Sequence, residues 1–271
     1  MHIYEGKIIL EDKIGSSDLI KDYNHSKSVY EVIRIINGKP LFLKDHLKRL
    51  YASCDKKEIH INEKNNHLIQ KIEKVITIND YKNKNIKIQL VEMNQKAIVI
   101  IGFIKSSYIE ESFRLKGIHT ILYKGDRLDP NVKQQDDLFR KIIAHSLNEF
   151  QATEALLVNK DNEITEGSRS NVFFVKENKI YTAPSRMVLK GITREKVFAI
   201  CKQQNIDLME IPVNTEKLNN YDAVFLTGTS IDILPVASIN QYLFQSIHNH
   251  IVEKIQNEYN RCKEMYLNNI L

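Results

Sequence analysis

The sequence predicts an α+β chain built as two halves, and three observations lead there. At 271 residues the chain exceeds one small core and suits one large domain or two modest ones. Strand-length apolar stretches alternate with helical spacing along its whole length, with no internal repeat and no low-complexity linker. A basic, polar stretch from Tyr108 to Lys116 interrupts that alternation, so the halves are expected to meet near residues 108–126.

Lys7-Ile8-Ile9-Leu10 reads as a strand, followed by a second from Ser28 to Ile36. Asn37-Gly38 before Pro40-Leu41-Phe42-Leu43 signals a hairpin, because both residues tolerate the positive φ of a tight turn. Asp45 is placed to cap a helix through HLKRLYASCDK, whose Leu47, Leu50 and Tyr51 share one face. Leu68, Ile69, Ile72, Val75 and Ile76 mark a second amphipathic helix. Asn85–Val91 and Lys96–Ile104 form a hairpin around Glu92-Met93-Asn94-Gln95. The second half opens with a strand from Gly117 to Leu122, a loop to Val132 and a helix from about Gln134 to Phe150. Hairpins follow at Ala155–Thr165 and Val172–Tyr181, then a helix from Thr193 to Gln204. Strands at Ala223–Leu226 and Ile233–Val236 flank Thr227-Gly228-Thr229-Ser230, and a last helix runs from about Phe244 to Leu267.

Composition excludes several classes. Hydrophobic content of 42% with 27% charged residues is ordinary for a soluble globular protein. The longest apolar run, Ala97–Ile104, has strand length, so no membrane partner is expected. The first residues lack a signal-peptide core. Cys54, Cys201 and Cys262 are odd in number and far apart, which argues against disulfides or a zinc knuckle and for a reducing cytoplasm. The net charge of +5 comes from scattered lysines. The densest basic stretch (Lys124, Arg127, Lys133, Arg140, Lys141) is broken by Asp126, Asp129, Asp136 and Asp137, which predicts a solvated surface and no nucleic-acid partner. His248 and His250 face different directions, so no metal site is expected.

The informative stretch is Glu163–Arg194, EITEGSRSNVFFVKENKIYTAPSRMVLKGITR. It sets Glu166 in a tight Gly-Ser turn that Asn171 closes, ahead of the strand Val172–Val175. Gly191-Ile192-Thr193-Arg194 then opens a helix whose first N–H groups suit an anion. A carboxylate between strands followed by such a helix start is the pattern of a cofactor cradle. The stretch resembles the class IV, or fold-type IV, pyridoxal-phosphate (PLP) aminotransferase family, which includes D-amino-acid and branched-chain transaminases and aminodeoxychorismate lyase.

That resemblance covers nearly the whole chain and implies a small N-terminal α/β sandwich at 1–115. It also implies a larger PLP-binding domain with a β-barrel-like core at 116–271, and a homodimer. A PLP enzyme needs a lysine for the Schiff base, a partner for the pyridine nitrogen and a phosphate clamp. Glu166 matches the pyridine partner, since an ionised acid favours a neighbouring cation. Matching the family upstream of Glu166 lands on Lys133, in Asp129-Pro130-Asn131-Val132-Lys133-Gln134-Gln135, as catalytic lysine. Arg49 matches the family's His-x-x-Arg-Leu element and would grip phosphate with Ile192, Thr193, Thr229 and Ser230. Asn171 joins these cofactor-binding residues, and Tyr30 matches an aromatic that lines the substrate site.

The implied activity is transamination between an amino acid and a 2-oxo acid through a Lys133 aldimine. The alternatives are an aminodeoxychorismate lyase that releases pyruvate and 4-aminobenzoate, and a PLP-fold protein that binds without turnover. Two departures lie on the substrate side. Tyr23–Ser28 replaces a glycine-rich turn of the family, and Glu92-Met93 stands where D-amino-acid transaminases carry an arginine.

Overall fold

The computed structural model describes residues 4–10, 27–61, 65–93, 96–106, 108–127, 129–134 and 136–269. Most of the Tyr23–Ser28 departure therefore lies outside the described residues. The chain divides into two units: Met1–Ser107 with Val132–Gln135 and Tyr266–Leu271, and Tyr108–Asn131 with Asp136–Met265.

In the first unit, strands β1 (Tyr4–Leu10), β2 (Ser28–Ile36), β3 (Lys39–Pro40), β4 (Lys84–Met93) and β5 (Lys96–Ile104) form an antiparallel sheet ordered β1-β5-β4-β2-β3. Asn37 (φ 51°) and Gly38 (φ 77°) make the β2–β3 turn in the left-handed conformation, which asparagine tolerates and glycine, lacking a Cβ, adopts freely. Helices α1 (Leu43–Lys57) and α2 (Asn65–Asn79) cover one face of the sheet. Val29, Ile33 and Ile35 of β2, Ile86, Ile88 and Leu90 of β4, and Leu47, Leu50, Ile72 and Val75 of the helices fill that core. Period-two alternation sends Tyr30, Lys87 and Gln89 to the opposite face, where all three are also buried.

Helix α1 begins two residues before Asp45, which sits inside the first turn instead of capping it. Tertiary contacts set this start. Phe42 packs edge-on against Tyr266 at 4.9 Å, and the Leu43 N–H donates to the Tyr266 hydroxyl at 2.9 Å.

The second unit carries α3 (Glu111–Lys116), β6 (Ile118–Lys124), α4 (Asp137–Glu149), β7 (Glu154–Val158), β8 (Glu163–Gly167), β9 (Asn171–Lys176) and β10 (Lys179–Thr182). These are followed by α5 (Ile192–Gln203), β11 (Leu208–Glu210), β12 (Val213–Asn214), β13 (Ala223–Gly228), β14 (Asp232–Ile239), β15 (Tyr242–Leu243) and α6 (His250–Asn268). Its sheet runs β11-β10-β9-β13-β14-β6-β7-β8-β12, with β15 on β14. The apolar run Val172–Val175 is buried on both faces, which is why it lacks alternation. Val172 and Phe174 enter one core, while Phe173 stacks on Phe225 at 5.0 Å and meets Phe198 of α5 edge-on.

Three further features differ from the sequence expectation. Helix α4 starts at Asp137 because the Asp136 carboxylate accepts from the Phe139 N–H at 2.9 Å and caps it there. The last helix starts at His250, not near Phe244. The buried Ser246 hydroxyl accepts from Val224 N–H at 2.9 Å and donates to Val236 O at 2.6 Å, and Asn249 caps α6 through Ile251 and Val252 N–H. Glu166 belongs to β8, with the turn confined to Ser168–Ser170.

Candidate active site

The first unit assembles Lys133, Tyr30 and Arg49. The Lys133 carbonyl accepts the Tyr30 N–H at 3.0 Å, which ties the segment around Lys133 to β2. Lys133 Nζ lies 5.0 Å from the Tyr30 ring centroid, close enough for the ring quadrupole to hold a cation. Lys87, only 1% exposed, brings its Nζ within 5.1 Å of the same ring.

Arg49 is oriented by a fully buried acid, Glu31. The guanidinium donates from Nε to Oε1 at 2.7 Å and from Nη2 to Oε2 at 2.8 Å, a bidentate fork. His46, three residues before Arg49 on α1, places Nδ1 2.8 Å from Glu31 Oε2, so its role reaches beyond its own helix. Burial raises the Glu31 pKa, but the Arg49 charge and the hydrogen bonds from Arg49 and His46 outweigh it and bring the carboxyl down to about 2. Burial also lowers the His46 pKa, against the hydrogen bond and charge of Glu31. An acid in the apolar strand Val29–Ile33 was the available signal for this cluster, because a buried charge requires a partner.

The second unit gathers Glu166, Asn171, Ile192, Thr193, Thr229 and Ser230. Glu166 Oε2 accepts from Asn171 Nδ2 at 3.2 Å and from the Leu189 N–H at 3.1 Å. Arg127 Nε lies 3.1 Å from Oε1, within ion-pair distance but outside hydrogen-bonding angles. Asn171 Nδ2 also donates to Leu189 O at 2.9 Å, so Asn171 positions the carboxylate. Asn171 pairs with Thr227 across β9 and β13 and lies against Gly191 at the start of α5. The α5 N-terminus and the Thr229–Ser230 turn therefore share one end of this unit with Glu166. The serines of the Gly-Ser-Arg-Ser turn serve the fold: buried Glu154 accepts from Ser168 Oγ at 2.5 Å and Ser170 Oγ at 2.9 Å. Arg194 is likewise structural, donating to Ala183 O at 3.1 Å and Glu210 Oε1 at 3.0 Å.

Among the described residues no cluster of metal-ligating side chains occurs. The site instead suits an anionic group with a basic ring. The N-cap of helix α5 is Gly191, which has no side chain to cap the helix, and first-turn N–H groups of this kind suit a phosphate. The buried Thr227 hydroxyl at the same end has no hydrogen-bond partner, and its cross-strand neighbour Asn171 holds the Glu166 carboxylate.

A family model for amino-transferase class IV matches residues 28–239. The chain belongs to the class IV aminotransferase family. This aminotransferase is 28% identical over 249 residues to the D-alanine aminotransferase of Bacillus licheniformis, covering 88% of each chain. Its fold matches the branched-chain aminotransferase of Thermoproteus uzoniensis with norvaline at a TM-score of 0.83 and 23% identity, over 99% of this chain and 98% of that one. The branched-chain amino acid aminotransferase of Escherichia coli matches equally well at 0.83, with 20% identity over 97% and 95% of the two chains. The mixed two-sheet architecture is thus that of the family's fold.

Gly191 gives the aminotransferase its close approach at the α5 start. A Cβ there would overlap Asn171 Oδ1, whose amide is already committed to Glu166 and Leu189. Gly191→Ala is expected to displace Asn171 and cost about 1–3 kcal/mol, measured as a lower midpoint in chemical denaturation.

Proposed function

We propose that this class IV aminotransferase binds PLP and moves an amino group between an amino acid and a 2-oxo acid, acting as a cytoplasmic homodimer. The observation that carries the reading is the gathering of a held carboxylate, Glu166, with the helix start at Gly191 and the Thr229–Ser230 hydroxyls at one end of the second unit. An acid for a ring cation and donors for a phosphate are the two ends of PLP recognition. In support of the location, no helix of the described residues is long and apolar enough to cross a membrane. The buried Cys54 and Cys201 thiols are also pushed up to about 12 by burial, as suits inert thiols. The homodimer follows the family's expectation.

Bound there, PLP supplies the electron sink that draws charge from the substrate α-carbon. Lys133 would hold the cofactor through its amine. With the cofactor in place, the Lys133 amine would be the group that takes and returns the substrate Cα proton, as base and then acid. Glu166 would accept the pyridine N–H and keep that nitrogen protonated. On the family resemblance, the N–H groups of Ile192 and Thr193 would hold the phosphate with Thr229 and Ser230, and Arg49, oriented by Glu31, would supply a guanidinium to it. Tyr30 lines the substrate side and steadies the Lys133 ammonium when it is protonated.

Absorption spectroscopy tests this. Protein incubated with PLP should show a near-visible band, and an amino donor should convert it to the shorter-wavelength pyridoxamine form while a 2-oxo acid is released. No band would sink the cofactor assignment. Release of 4-aminobenzoate and pyruvate from aminodeoxychorismate, with the band kept, would make it a lyase. A band that no amino donor alters would make it a binding protein without turnover.

A further inference from the structure

Resting on PLP as the cofactor, we infer that Arg127 is a positioning residue that keeps Glu166 ionised for the pyridine nitrogen. Glu166 is 3% exposed at its side chain, and burial alone favours the neutral acid. Asn171 Nδ2 and the Leu189 N–H, which donate to Oε2, are uncharged. Arg127, on the loop after β6, brings a cation into ion-pair contact with the other oxygen, Nε to Oε1 at 3.1 Å. It is fixed in turn by the 2.6 Å bond from Nη2 to the Ser168 carbonyl, in the turn that Glu154 holds. Arg127 therefore supplies charge from a braced position, and its Nε stands outside hydrogen-bonding angles to Oε1.

Several charged groups on the surrounding elements have contacts of their own. Glu154 of β7 faces Ser168 and Ser170, and Glu163 at the start of β8 accepts from Asn159. Arg194 of α5 turns to Ala183 and Glu210, and Arg169 is exposed. Asp126, next to Arg127, has its carboxyl pKa raised by partial burial. A neutral Glu166 would present an O–H or an uncharged carbonyl to the ring, and the pyridine nitrogen would lose the anion that holds its proton.

The test compares binding of PLP with binding of its 1-deaza analogue, in which carbon replaces the ring nitrogen, to wild type, Arg127→Leu and Arg127→Lys. Wild type should prefer PLP over the analogue. Arg127→Leu should lose PLP affinity on the order of tenfold, bind the analogue as wild type does, and so lose the preference. Arg127→Lys, which keeps the charge, should restore much of it. Equal weakening of both compounds would make Arg127 a folding residue and overturn the inference, as would an unchanged preference in Arg127→Leu. Failure of wild type to bind PLP at all would instead remove the cofactor reading itself.

Discussion

Glu31→Ala should lower stability by about 3 kcal/mol or more, because it strands a cation in the first unit. Glu31 is 0% exposed and joins both ends of the Arg49 fork and the His46 ring, so its removal leaves two polar partners without their acceptor. Chemical denaturation should show the loss as a lower midpoint, and cofactor titration should show weaker PLP binding as Arg49 loses its orientation. The same cluster predicts acid lability. The Glu31 pKa falls from 4.5 to about 2 on folding, so its contribution is present above pH 4.5 and disappears as pH falls through about 2. That difference corresponds to about 3 kcal/mol. The His46 pKa is lowered from 6.5, so unfolded chain takes up that proton first, and stability begins to fall below that pH. In Glu31→Gln the step below pH 4.5 should vanish. A wild-type-like midpoint in Glu31→Ala would show that the fork contributes nothing net.

Lys133→Ala should abolish transamination, with a fall in kcat of at least about 10⁴-fold, since in the proposed mechanism one amine is both covalent anchor and proton carrier. The near-visible band should be lost, while PLP should still bind through the phosphate and Glu166 contacts. Lys133→Arg should not recover the rate, because a guanidinium stays protonated and is no nucleophile. Lys87 provides the control, being the second ammonium beside Tyr30. If the band survived in Lys133→Ala and vanished in Lys87→Ala, the anchor would be Lys87.

Much of the fold was legible because its signals are local. Asn37-Gly38 adopts the left-handed turn these two residues allow, and the helix start at Gly191-Ile192 lies where the motif placed it. The errors arose where distant groups decide. Helix α1 begins early because Tyr266 receives Leu43, and α6 begins late because Ser246 is drawn into β13 and β14. Glu166 reads as a turn residue from Gly167-Ser168, yet pairing of β7 with β8 makes it a strand residue.

The sequence by itself determined the family, the α+β class and which residue types stand in the motif positions, since these depend on order and spacing alone. Only the tertiary structure decided how those residues are held. Glu31 and Arg49 lie 18 residues apart, and Arg127 and Glu166 come from separate elements. Their meeting depends on strand alternation and on which face a helix covers. Burial then makes each pairing consequential, because a carboxylate removed from water stays charged only where the fold brings a donor or a cation to it.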